Sequence, residues 1–388
     1  MATILLIIIY LAFISLGLPD SLLGSAWPVM NQELQVPLSG AGMLSMIVTG
    51  GTILSSFLSG VWIRRFGTGM VTFVSVLMTA VALLGFSLAP SFLWLCIPAV
   101  PLGLGAGAVD AALNNFVALH YKVSHMNWLH CFWGLGAMSG PMIISVFLQE
   151  ENGWRKGYRT IFGIQFALVL ILFGTLFLWK KFENKDMVGG DEKPTGEKIR
   201  ILKLPGAVLA WLAFFCYCGA ELTAGLWGSS YLVKVKGISA GTAARWISLF
   251  YLGITLGRFL CGFLAVRFQN RSLVRLGLGV CLAGCLFLLL PLPAAVSMPG
   301  FVLFGLGCAP VFPGLLHETP ARFGKETSQA MMGTQMAFGY IGSTLLPPLF
   351  GLAAQAGFIR LFPWFLLLLT GGIILSSEGV DVRTARRQ

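Results

Sequence analysis

Twelve apolar runs, each long enough to cross a lipid bilayer, follow one another through the 388 residues of this chain. A helical span needs about twenty mostly apolar residues. Inside hydrocarbon every backbone N–H and C=O has to find its partner within the protein, which leaves only helices and closed barrels. The runs are too long and too uniformly apolar for barrel strands. They read as helices over 2–27, 38–63, 69–89, 91–119, 127–149, 160–179, 205–233, 240–266, 272–292, 296–317, 328–353 and 358–377. The fold class is therefore an all-α membrane protein.

Composition agrees. The chain is 56% hydrophobic and 11% charged, with a mean hydropathy of +0.83, whereas soluble domains carry about 25% charged residues. The first run is too long for a signal peptide, contains Asp20 and has no small-residue cleavage site after it. The net charge of +11 does not call for a nucleic acid. Most Lys and Arg residues fall in or beside segments that face the cytoplasm if the N-terminus is inside, which is the positive-inside bias. That predicts a multi-pass protein of the plasma membrane with both termini cytoplasmic. The eight cysteines lie in apolar runs and read as packing residues, with no metal set among them.

Connections are short except at 181–204, a polar stretch containing Gly189 and Gly190. It reads as a linker between two six-helix bundles, 1–180 and 205–388. The two halves look like copies. Gly60 with Arg64 and Arg65 resembles Gly262 with Arg267; Gly103 and Gly105 resemble Gly305 and Gly307; Gly134, Gly136 and Pro141 resemble Gly339, Gly342 and Pro347. Repeated halves joined by a linker are the pattern of secondary transporters, whose substrate sits near the membrane midplane. The whole chain resembles the major facilitator superfamily, and the resemblance implies two pseudo-symmetric bundles and transport by a single chain.

Ionisable groups inside spans mark function, because they are expensive in hydrocarbon. In the fourth span Gly103, Gly107, Asp110 and Asn114 form one helical stripe, with Asn115 beside it. In the first, Gly17, Asp20, Gly24 and Trp27 share a face, and Pro19 loosens the backbone there. Asn127, His130 and Trp133 open the fifth span, offering an imidazole and an aromatic ring. In the seventh, Glu221 and Trp227 can line a cavity. Each has a bland reading too: Asp20 as a hydrogen-bonded structural acid, Asp110 as a permanently paired ion, His130 as a core histidine. Glu221 serves substrate binding, gating or a salt bridge about equally well. Arg258, inside the eighth span, can snorkel, pair with Glu318 or reach Glu221; an inner-gate role, with Arg64, Arg65 and Glu318, is the first choice. By helix rise Asp20 stands about 27 Å and Asp110 about 13 Å from the cytoplasmic side, which predicts two separate stations.

Several of these stretches match one branch of the superfamily. Leu18-Pro19-Asp20, Asp110 followed by Asn114 and Asn115, and Asn127 through Trp133 to Gly136 resemble the first, fourth and fifth helices of the fucose:proton symporter family. That resemblance implies that Asp20 and Asp110 handle sugar and coupling proton. The expected function is proton-coupled symport of a sugar or similar small polar solute by a functional monomer, with Asp110 and Asp20 for the proton. Asp20, Asn114, Asn115, Asn127, His130, Trp133, Glu221 and Trp227 would then serve the substrate. No cofactor is expected; the coupling ion is H+, with Na+ as the other candidate. A proton-driven efflux antiporter and a non-transporting sensor are the competing readings. Enzyme activity is not expected, since no nucleophile triad, metal cluster or nucleotide loop is legible; Gly103, Gly105 and Gly107 follow no strand and pack helices.

Overall fold

Proline and glycine decide where these helices bend and how closely they pack. A computed structural model describes residues 2–186, 202, 204–291 and 293–385. Its helices α1 (Ala2–Asp20) and α2 (Leu22–Glu33) together make the first span. One span each is made by α3 (Gly40–Phe66), α4 (Thr68–Leu88), α5 (Phe92–His120), α6 (Val123–Phe147), α7 (Gly153–Asp186), α8 (Ala207–Lys236), α9 (Ala240–Leu264) and α10 (Asn270–Leu289). The tenth span is divided into α11 (Ser297–Cys308) and α12 (Val311–His317). A short helix, α13 (Thr319–Phe323), leads to α14 (Lys325–Gln355) and α15 (Phe362–Ala385), the last two spans. Twelve spans are thus present, and no strand occurs among the described residues.

The sixth span, α7, departs from its expected bounds at both ends. The sixth helix starts at Gly153 instead of 160, because its charged first turns are tied down. Trp154 Nε1 donates to Glu33 Oε2 (2.6 Å), and Arg155 pairs with Glu33 and donates to the Ala89 carbonyl (3.0 Å). The same helix continues through 186 into the expected linker, whose residues 187–201 and 203 lie outside the described residues.

By contacts the chain forms two compact units, Met1–Pro194 with Ser239–Ser248, and Thr195–Ile238 with Leu249–Gln388. The first is built on α1 against α6, α3 and α4 against α5, and α4 against α7. Leu5, Ile9, Phe13, Leu113, Phe116, Leu129 and Leu172 fill its core at 2% exposure or less. The second repeats the plan, with α8 against α14 and α15, and α10 against α11 and α15. The repeat holds to the atom. A Cβ on Gly103 would stand 2.1 Å from the Val48 carbonyl oxygen, and one on Gly305 2.1 Å from that of Phe250. Gly136 and Gly342 likewise press on the carbonyls of Ile14 and Phe215. Small residues let backbones approach where lipid supplies no hydrophobic drive for association.

Candidate functional site

Asp20 is the last residue of α1, and its position follows from the proline before it. Pro19 has no amide hydrogen, so the Ser15 carbonyl loses its helical donor. Gln165 of α7, fully buried, replaces that donor: its Nε2 lies 2.6 Å from the Ser15 oxygen. The same rule acts on α6, where Pro141 frees the Ala137 carbonyl and Ser21 Oγ donates to it at 2.7 Å. Between these two bonds α1 gives way to α2, and Asp20 sits at the break. Trp133 Nε1 donates to Asp20 Oδ2 at 2.8 Å.

Asp110 lies on α5, where Asn114 Nδ2 donates both to its Oδ1 and to its carbonyl, each at 2.9 Å. The two acids are not at separate depths. The hydroxyl of Tyr10 and Nδ1 of His125 are hydrogen-bonded (2.7 Å) at the start of α6, so α1 begins well beyond the level at which α5 ends and α6 starts. Measured from that level, both Asp20 and Asp110 are about 15 Å in by helix rise. The expectation of two stations placed every helix end at one level, and the overhang of α1 corrects it.

The other expected residues divide. His130 keeps accessible surface and meets the Phe13 ring edge-on, with centroids 6.0 Å apart. Asn115 is exposed. The side chain of Asn127 lies outside the described residues. Arg64 and Arg65 are exposed in the last turn of α3.

In the second unit Glu221 and Arg258 face each other, Oε1 to Nη2 3.8 Å, each side chain about one-fifth exposed. Of the three options for Arg258, this is the one the fold realises. Glu318 is instead engaged by Arg271 (3.1 Å). It belongs to a network that sequence reasoning missed: Arg322 meets Asp381 at 2.8 Å, and Arg275 meets Glu378 at 2.6 Å. Arg322 is outside the spans, and burial lowers its pKa against the pull of Asp381. Trp227 is fully buried, stacks edge-on against Phe350, and spends its indole N–H on the Pro347 carbonyl (2.8 Å). That is a packing position, and the expected place beside a substrate is not where this side chain stands. Among the described residues no group of three His, Cys, Asp or Glu side chains is arranged to hold a metal ion.

A model of the Major Facilitator Superfamily matches residues 9–347. The chain belongs to that superfamily. Among relatives of this major facilitator is "Bypass of stop codon protein 6" of Saccharomyces cerevisiae, 24% identical, covering 92% of this chain and 79% of the relative. Another is the glucose/mannose transporter GlcP of Bacillus subtilis, 24% identical, covering 78% and 77%. Solved folds agree. A D-xylose-proton symporter matches with TM-score 0.74 at 13% identity, over 97% of this chain and 96% of the other. The fucose:proton symporter FucP of E. coli matches with TM-score 0.61 at 17% identity, over 97% and 98%. As a major facilitator, the protein is a multi-pass membrane transporter and not an enzyme. Its first bundle holds two carboxyl groups at one depth, Asp20 bonded by the Trp133 indole and Asp110 by the Asn114 amide.

Proposed function

We propose that the protein is a proton-coupled symporter of a sugar or a similar small polar solute, working by alternating access of two bundles, 1–180 and 205–388. The observation that carries this reading is the pair of acids at one depth, each with its own donor: Asp20 with Trp133, Asp110 with Asn114. A carboxylate that accepts hydroxyl hydrogens next to an aromatic ring suits a polyhydroxylated solute, whose C–H face stacks on the ring. A second carboxyl at the same depth can carry a proton, since a charge inside the membrane is costly and protonation removes it. The names of a glucose/mannose transporter, a xylose–proton symporter and a fucose:proton symporter among the matches support the same class.

In this mechanism Asp110 takes a proton from outside. Solute then binds at Asp20, Trp133, Asn114 and His130 of the first bundle, and Glu221, paired with Arg258, serves within the second. Substrate and proton favour each other's binding by the same factor, as linkage requires. Both leave to the cytoplasm, where both termini lie, and the unit of function in the plasma membrane is a single chain.

The test is Asp110→Asn in proteoliposomes, with labelled D-glucose, D-xylose and L-fucose as probes. The expected result is loss of proton-driven accumulation with counterflow retained. Accumulation that survives would remove Asp110 as the coupling acid. Uptake that collapses without sodium, while a proton gradient is present, would replace H+ by Na+.

A further inference from the structure

One buried side chain of the first unit has no place in that mechanism, yet it reaches the backbone that carries Asp20. Gln165 sits in the middle of α7 at 0% exposure, in an otherwise apolar stretch. Its amide is used at both ends. Nε2 donates to the Ser15 carbonyl on α1 at 2.6 Å, and Oε1 accepts from Thr79 Oγ1 on α4 at 3.1 Å. Thr79 shares its hydrogen with the Val76 carbonyl at 2.9 Å. Chemistry fixes the orientation of the amide. A carbonyl can only be served by the NH2 end, and a hydroxyl hydrogen only by the oxygen.

Ser15 is the residue whose carbonyl Pro19 leaves without a helical donor. In hydrocarbon such a carbonyl demands a partner from a neighbouring helix. With Gln165 in place the broken turn of α1 is pinned on the side of α7 and α4. On the opposite side it is pinned by α6, where a Cβ on Gly17 would stand 2.2 Å from the Trp133 carbonyl and where Ser21 bonds Ala137. Asp20 follows Pro19 directly and meets Trp133 across the same α1–α6 contact. The bend of α1 and the aim of the Asp20 carboxyl are thus set by one pair of opposed bonds.

We infer that Gln165 is a positioning residue for Asp20: it substitutes for the donor that Pro19 lacks and so holds the carboxyl on Trp133. The inference builds on the reading of Asp20 as a transport acid. Its geometric content, however, is tested without any solute.

The experiment is a double-mutant cycle on the full-length protein in nanodiscs. Gln165→Met keeps volume and removes both hydrogen bonds. Pro19→Ala returns the amide hydrogen, so Ser15 regains its own helical donor. Two readouts are followed by mass spectrometry: hydrogen exchange of peptides spanning 14–24, and the ratio of Asp20 to Asp110 labelling by dicyclohexylcarbodiimide at one pH. Gln165→Met alone is expected to speed exchange in 14–24 and to change the labelling ratio by about tenfold, the size of coupling between groups in one network. Exchange in α8 stays unchanged. In the Pro19→Ala background the same substitution is expected to do almost nothing to either readout. Additive effects in the two backgrounds, or an unchanged labelling ratio, overturn the inference. If Gln165→Met alone gives no folded protein, folding restored in the double variant supports it, and failure to restore folding overturns it. These outcomes do not depend on solute, so an inactive Asp20 would appear separately, as transport that survives Asp20→Asn.

Discussion

Two tryptophans of similar sequence setting do different work, and the difference is a matter of what each indole N–H meets. Trp133 gives its hydrogen to a carboxylate, Trp227 to a backbone carbonyl in a closed core. Replacing each by Phe keeps most of the ring and deletes that bond. Trp133→Phe is expected to raise the KM of the transported solute by about tenfold, the scale of a lost hydrogen bond to a charged group, with little change in thermal midpoint. Trp227→Phe is expected to lower stability by about 1 kcal/mol and to leave KM alone. Uptake kinetics set beside thermal unfolding of both purified variants separate the two. At this scale the sequence was informative wherever a charge stood in an apolar run: Asp20, Asp110, Glu221 and Arg258 all announce themselves. Trp227 misled because a tryptophan on a polar-looking face reads the same whether that face opens on a cavity or packs on Gly351 and Phe350. Gln165 was overlooked because an uncharged amide raises no alarm. Its signal was indirect, the proline four residues beyond a carbonyl on another helix.

Some helix pairs in each unit meet through backbone at a glycine, as at Gly103, Gly136, Gly305 and Gly342. Gly103 on α5 is a direct test of this, since its Cβ would invade the Val48 carbonyl of α3. Gly103→Ala is expected to destabilise the protein by about 1–3 kcal/mol, the range for overpacking. Gly50→Ala on α3, where a Cβ meets nothing within 4 Å, is expected to be neutral or slightly stabilising. Chemical or thermal unfolding of the pair decides. The spacing of Gly103 and Gly107 made this packing face readable beforehand. Depth was not readable in the same way. Counting residues gives a position along one helix, and only a cross-helix contact such as that of Tyr10 with His125 sets two helices to a common level.

Charge is distributed unequally across the molecule. At one end of the second unit Arg271, Arg275 and Arg322 interlock with Glu318, Glu378 and Asp381, drawing on α10, α13, α15 and the residue between α12 and α13. The corresponding turn of the first unit shows exposed Arg64 and Arg65 in the last turn of α3. Arg322 is 4% exposed, so Asp381→Asn would leave a buried charge without its nearest counter-ion. The expected cost is about 3–5 kcal/mol, largely recovered in the double variant with Arg322→Met; thermal midpoints of the wild type, both singles and the double read this out. Composition foretold twelve spans and the repeat foretold two alike bundles, but pairings of this kind depend on which helix ends converge, and no spacing records that. The Ser15–Gln165 bond carries one more consequence, for how the chain is made. Its partners are 150 residues apart. At synthesis rates of roughly 5–20 residues per second, the first helix waits in the membrane on the order of ten seconds or more with a bare carbonyl and an acid. It therefore enters the bilayer unfinished, and the sixth span, α7, completes it on arrival.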